Sequence, residues 1–212
     1  MKRRECLAAI HAELSDCAVV TIMGAVAAEL YNLGHRPTFF YLQHAMGLAP
    51  SVGLGVALSQ PDRKVVVLDG DGSLFMNLGG LTTLAREAPG NLTHIIFDNA
   101  SLVSIGGYPT PSARGVDLAA VARATGIPQA RTVTTLDDFS TAARDAIASD
   151  ELTCLVAKVE AAVVSSYAMD LHLLENRFEF ARSLRPKLIT MACGHYQSYL
   201  SGVGISAAIS IT

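Results

Sequence analysis

The residues best suited to chemistry stand at the ends of two apolar runs. Val65-Val66-Val67-Leu68 leads into Asp69-Gly70-Asp71-Gly72-Ser73, and His94-Ile95-Ile96-Phe97 leads into Asp98-Asn99. If the two runs are neighbouring parallel strands, both sets of polar residues fall at the carboxyl edge of a sheet, where ligands of open α/β folds bind. Gly70 and Gly72 let the backbone turn tightly, and a helix beginning after Ser73 would offer unpaired N–H groups to an anion such as a diphosphate. Asp71 would repel that anion unless a cation lay between them. Mg²⁺ or Ca²⁺ meets the need, taking about six oxygens from protein, water and phosphate. Asp71 can give a carboxylate oxygen, Asn99 an amide oxygen and Ser101 a backbone carbonyl, with Asp98 as a rival for the role of Asn99. Taken alone, Gly70-Asp71-Gly72 is also compatible with a plain surface turn.

These groups need a scaffold, and the rest of the chain supplies the pattern of one. Strands are expected at 18–23, 38–42, 64–69, 93–98, 130–132 and 153–159, alternating with helices at 4–14, 24–33, 48–59, 78–87, 117–125 and 136–148. This alternation predicts an α/β fold, a three-layer, doubly wound parallel sheet with helices on both faces. The runs at 65–68 and 94–97 are apolar throughout, as central strands covered on both sides must be. Asp117 and Thr135 are placed as N-caps, and Gly34, Gly90 and Gly126 as helix stops. The Gly-, Pro- and Ser-rich stretch 100–115 fits neither period and reads as a long, mobile, functional loop.

Composition narrows the function. Of the 212 residues, half are hydrophobic and 17% are charged, so the chain should fold compactly, as one domain over 1–187. The remaining 188–212 form a tail without Lys, Arg, Asp or Glu. A net charge of −3 lacks the basic excess that nucleic acid binding requires. The apolar residues near the start are interrupted by Glu13 and Asp16, and 17–28 is too short to span a bilayer, so neither export nor membrane insertion is expected. Four cysteines without Cys-x-x-Cys spacing fit a reducing, cytoplasmic setting. Gly53 and Gly55 imitate part of a dinucleotide loop but lack its third glycine.

The pattern Gly70-Asp71-Gly72 through Asp98-Asn99 resembles the signature of the thiamine diphosphate enzymes, Gly-Asp-Gly followed some thirty residues later by Asn. The resemblance extends over most of the domain. It is carried also by Val20-Thr21 with Glu29-Leu30-Tyr31, by Met46-Gly47-Leu48-Ala49, by Pro61 to Val66, by Met76-Asn77-Leu78, and by Gly106-Gly107 to Pro109-Thr110. Within that family it is most similar to the beta subunit of sulfopyruvate decarboxylase and the C-terminal half of phosphonopyruvate decarboxylase. The resemblance implies a diphosphate-binding domain with thiamine diphosphate and Mg²⁺ as cofactors, and Asp71, Asn99 and the Ser101 carbonyl as metal ligands. It implies further cofactor contacts from His44, Met46, Gly70, Gly72, Ser73 and Leu102. Met46 would be an apolar wedge beneath the cofactor; ordinary core packing is the alternative.

Three positions depart from the family pattern. His44 stands where a glycine usually offers its carbonyl to the cofactor, which makes it a candidate catalytic contact to substrate, with a structural role as the alternative. Ile105 and Tyr108 replace the expected Thr and Gln in a stretch whose Gly106 and Gly107 could hinge a closing loop. The implied reaction is decarboxylation of a short, doubly anionic 2-oxo acid, with carboligation or a non-catalytic subunit as competing readings. The family's activating glutamate belongs to a pyrimidine-binding domain, and Glu29 reads as structural. That glutamate is therefore expected from a partner chain in a hetero-oligomer. Arg114, His35 and Arg36 are the remaining candidates for meeting a substrate anion.

Overall fold

The computed structural model describes residues 1–164 and 166–185. The chain runs α1 (Arg3–Ile10), β1 (Ala18–Thr21), α2 (Ala25–Leu33), β2 (Phe39–Tyr41), α3 (Ala49–Ser59), β3 (Val65–Gly70), α4 (Asp71–Phe75) and α5 (Gly80–Glu87). It continues through β4 (Leu92–Asp98), β5 (Ser101–Leu102), β6 (Tyr108–Pro109), α6 (Leu118–Ala124), β7 (Gln129–Val133), α7 (Leu136–Ala148), β8 (Thr153–Lys158) and α8 (Leu173–Ser183). Six strands make one parallel sheet in the order β2-β1-β3-β4-β8-β7. All six expected strands are present.

Crossover helices are what a parallel sheet demands, and they leave no face of the central strands to water. Val65 to Leu68 and Leu92 to Phe97 are fully or almost fully buried, each large apolar side chain there contributing about 1.5–3 kcal/mol. On the helical layers α1 packs against α2 and α7, and α3 against α5. Gly53 lies inside α3, where an added Cβ would meet Val67 Cγ2 at 2.2 Å. Close helix–strand packing explains that glycine, and the dinucleotide reading falls.

The topology also creates the crevice. From β1 the chain crosses to β2 on one side and returns to β3 on the other, so the carboxyl ends of β1 and β3 flank a switch point. The β3–β4 register, Asp69 opposite Ile96 and Gly70 opposite Phe97, brings the polar ends of both strands level.

Capping follows the sequence closely. Asp117 accepts the N–H groups of Ala119 and Ala120, and Thr135 accepts that of Asp138. Gly34 and Gly126, at φ +131° and +106°, close α2 and α6 as expected. Gly90 does not stop α5. Ala88 does so in the left-handed region at φ +41°, and Gly90 is needed because a Cβ there would lie 2.4 Å from the Asp150 carbonyl. The helix expected after Ser73 begins at Asp71 and lasts five residues.

Two segments are more ordered than their composition suggests. Within 100–115, β5 and β6 form an antiparallel pair, Ser101 opposite Pro109 and Leu102 opposite Tyr108, closed by Gly106 and Gly107 at φ +104° and +77°. Beyond β8, α8 covers the edge strand β2. Asn176 accepts the Tyr41 N–H at 3.1 Å and donates to the Phe39 carbonyl at 2.7 Å, standing in for a neighbouring strand, while Phe180 stacks on Phe40. Cys6, Cys17 and Cys154 are free and buried. No helix among the described residues is long and apolar enough to cross a membrane. The tail 188–212 lies outside the described residues.

Candidate functional site

A cleft of about 170 Å³ opens at the switch point, between the ends of β1, β3 and β4. Met46, Gly70, Asp71, Gly72, Ser73, Asn99, Ser101 and Leu102 all line it, eight of the nine residues expected to hold a cofactor. Sequence position alone brings Asp71 and Asn99 only to adjacent strand ends. Tight packing completes the wall, because Gly72 leaves room for the Leu102 side chain, which would lie 2.3 Å from an added Cβ.

Asp71 is the electrostatic centre of this cleft. It is 2% exposed, and Thr110 Oγ1 donates to its Oδ2 at 2.6 Å. Burial pushes its carboxyl up to about 6, and the nearby Asp98 charge adds to this. The Thr110 hydroxyl and the N–H groups of Gly72 and Asn99 oppose the rise without cancelling it. Among the described residues Asp71 has no cationic side-chain partner. A buried carboxylate in that state is a fitting seat for a divalent cation.

The neighbouring donors complete a set of hard oxygens. Asn99 Oδ1 accepts the Ser101 N–H at 2.9 Å, and an amide oxygen has a second lone pair to give. Ser101 stands opposite Pro109, which has no N–H to spend on its carbonyl. No cluster of three His, Cys, Asp or Glu side chains occurs among the described residues, so an ion here would be held by this mixed set and by its ligand's own oxygens. Asp98, the rival for Asn99's role, is already engaged by Lys158 Nζ and the Ala100 N–H.

Other side chains hold the walls in place. Ser73 Oγ accepts the Gly47 N–H at 3.0 Å, and Asn77 donates to the Gly47 carbonyl, so the Met46 loop is tied to the turn after β3. Gly47 has φ +84°, and a Cβ there would sit 2.8 Å from the Asn77 Cβ. Beneath the turn, Asp69 Oδ1 accepts the Gly70 N–H while Oδ2 lies 3.4 Å from Nε2 of fully buried His94. Burial alone would lower the His94 pKa, but Asp69 and Cys154 outweigh it and hold the imidazole up at about 9.

The remaining candidates separate clearly. His44 is exposed, has φ +53° and is not among the residues lining the cleft. Ile105 and Tyr108 are exposed on the hairpin, as is Arg114 beyond it. His35 bonds Glu179 and Tyr41, and Arg36 bonds the His11 carbonyl, so both serve packing. Glu29, read as structural, forms a two-pronged pair with Arg3. Sequence reasoning missed Thr110, Lys158 and Arg3. Only Thr110 had a signal, lying within a stretch that carried the family resemblance.

The fold and cleft define a class first, a parallel α/β domain with a cleft at the carboxyl ends of its central strands. The comparisons then fix the family. Residues 20–157 match the model described as "Thiamine pyrophosphate enzyme, C-terminal TPP binding domain", and the chain belongs to that family. It is 50% identical over 135 residues to phosphonopyruvate decarboxylase of Streptomyces viridochromogenes, covering 64% of this chain and 34% of that protein. It is 45% identical over 126 residues to sulfopyruvate decarboxylase subunit beta of Methanothermobacter thermautotrophicus, covering 59% and 67%. The chain thus spans about a third of its phosphonopyruvate decarboxylase relatives. Benzoylformate decarboxylase from Polynucleobacter necessarius shares the fold, with a TM-score of 0.65 at 20% identity over 77% of this chain and 34% of that one.

Proposed function

We propose that this chain is the diphosphate-binding part of a 2-oxo-acid decarboxylase that uses thiamine diphosphate and Mg²⁺. Its substrate is a short 2-oxo acid with a second anionic group, of the sulfopyruvate or phosphonopyruvate kind. The observation that carries the reading is Asp71, a buried carboxylate raised to about 6 that lines the cleft together with Asn99 and has no cationic side-chain partner among the described residues. Asp71, the Asn99 amide oxygen and the Ser101 carbonyl would hold Mg²⁺. Met46, Gly70, Gly72, Ser73 and Leu102 would shape the cofactor's seat.

Thiamine diphosphate supplies the electron sink for release of carbon dioxide. This chain's own residues orient and shield. Thr110 fixes one oxygen of Asp71 and so aims the other, and the β5–β6 hairpin borders the cleft on the side of Ser101 and Leu102. His44, which stands outside the cleft and has no hydrogen-bond partner among the described residues, is the contact for a substrate's anionic group. The glutamate that activates the cofactor comes from a pyrimidine-binding partner chain, so the site is completed at an interface. Relatives named as beta subunits support that arrangement.

Co-expression with the product of an adjacent reading frame tests the reading. Mg²⁺-dependent cofactor binding and carbon dioxide release should appear in the complex, while the isolated chain binds cofactor weakly and releases little. Enzyme-like turnover by the isolated chain would refute the partner requirement. Product analysis with an added acceptor aldehyde separates decarboxylation from carboligation. Cofactor binding in the complex without turnover on any 2-oxo acid would identify a non-catalytic subunit.

A further inference from the structure

The side of the cleft facing β1 lacks polar side chains of its own. From Ile22 to Ala28 the chain reads Ile-Met-Gly-Ala-Val-Ala-Ala, and five of these residues, Ile22 to Val26, line the cleft. A phosphate lying between β1 and β3 would find no side-chain hydroxyl, amide or charge on that segment, only backbone N–H groups. One charged group does reach this wall, and it comes from elsewhere in the chain.

Arg3, the first residue of α1, lines the same cleft and is only 6% exposed. The Glu160 N–H bonds the Met1 carbonyl, which fixes the segment leading into α1 beside the end of β8, on the carboxyl edge of the sheet. Glu29 on α2 grips the guanidinium with both oxygens, accepting from Nε at 2.8 Å and from Nη2 at 3.1 Å. Among the described residues Nη1 has no hydrogen-bond partner, nor is it among the buried polar atoms left unsatisfied. Arg3 itself lines the cleft, so this unclamped edge is the part of the side chain available to a ligand there. A guanidinium clamped along one edge presents its other edge in a fixed fork, the geometry that suits phosphate oxygens.

We infer that Arg3 is a binding residue for the diphosphate, with Glu29 as its positioning residue. The inference rests on the cofactor reading above and extends it to the wall opposite Asp71. Cation-bridged phosphate oxygens would lie against Asp71 and Asn99, and Arg3 would meet the oxygens turned towards β1. This gives the buried ion pair a purpose beyond stability, since an apolar pair of similar volume would often serve packing equally well.

The test measures binding to the chain in complex with its pyrimidine-binding partner by calorimetry and thermal shift, with Mg²⁺ and either thiamine diphosphate or inorganic pyrophosphate as ligand. Arg3→Gln should weaken both ligands by a similar factor, on the order of tenfold or more, because the contact is to the group they share. Arg3→Lys should retain part of the affinity. Glu29→Gln, which leaves the Arg3 charge in place and loosens the clamp, should cost less than Arg3→Gln. Wild-type affinity in Arg3→Gln, or a loss confined to thiamine diphosphate, overturns the inference and leaves the cofactor reading standing. A wild-type complex that binds neither ligand overturns both. If Arg3→Gln lowers the melting temperature without ligand, the paired replacement Arg3→Met with Glu29→Leu removes the charges and keeps the contact apolar. Wild-type pyrophosphate affinity in that variant likewise overturns the inference.

Discussion

Asp71 and Asp98 stand at the ends of adjacent parallel strands, each 2% exposed, and their surroundings differ in one respect. Asp98 has Lys158 on one oxygen and the Ala100 N–H on the other. Asp71 has the Thr110 hydroxyl on one oxygen and no cationic side chain among the described residues. A buried carboxylate paired with a lysine is complete within the chain, and its loss should register as stability. A buried carboxylate left without a cation is held at a disadvantage by the fold, and its loss should register as lost ligand affinity.

The largest expected effect is at Asp71. Asp71→Asn should weaken Mg²⁺-dependent thiamine diphosphate binding by about 100-fold or more, measured by calorimetry. Its effect on the chain without cofactor should have the opposite sign. Because the folded-state pKa is raised, to about 6, the stability tied to a neutral Asp71 is present in full below about pH 4. It is lost as pH rises through 6. Above that pH the variant should exceed the wild type by about 2 kcal/mol in urea unfolding, and at pH 4 the two should coincide. A destabilised variant at pH 8 would break the comparison.

Lys158→Met reverses the pattern. It leaves Asp98 buried and unpaired, which should cost about 2 kcal/mol at pH 7, reduced from the value for a fully buried pair because Lys158 is 40% exposed. Cofactor affinity should change by less than about threefold. If unfolding is unchanged and cofactor binding collapses, Asp98 belongs to the ligand set and the assignment of roles must be exchanged.

How much of this contrast the sequence revealed depends on the range of the forces involved. The strands, the switch point and the Gly70-Asp71-Gly72 turn are local consequences of apolar runs, glycine and alternation, and all could be read. The pairing of Lys158 with Asp98 joins residues 60 positions apart through strand register, which no local pattern encodes. Thr110 reaches Asp71 only because the 100–115 stretch folds back as a hairpin, with the Thr110 N–H on the Ala100 carbonyl. Asn176 was invisible for the same reason, being a polar residue whose two hydrogen bonds lie on a strand 135 positions or more away.

Thr110 sharpens the comparison from the other side. Thr110→Val removes the only side-chain bond on Asp71 among the described residues and should lower Mg²⁺–cofactor affinity by about tenfold, with Thr110→Ser restoring most of it. The same change should leave the Lys158–Asp98 pair untouched, so stability in the absence of cofactor should move far less than in Lys158→Met. Equal losses in both measurements would mean that the hydroxyl supports the fold and does not aim the carboxylate.

The smallest expected effect lies at His44, an exposed side chain without a hydrogen-bond partner among the described residues. At φ +53° its backbone occupies a region that glycine enters freely and other residues enter at a cost of about 1 kcal/mol. His44→Gly relieves that strain while enlarging the freedom of the unfolded chain, so the two changes offset and stability should shift by less than about 1 kcal/mol. Cofactor affinity should hold, because the imidazole lies outside the cleft. A side chain kept in a strained position for a substrate's anionic group would instead reveal itself in a raised KM for the 2-oxo acid, reproduced by His44→Ala. Unchanged KM and kcat in both variants would remove His44 from the site and leave Asp71 as the group there whose partner must come from outside the chain.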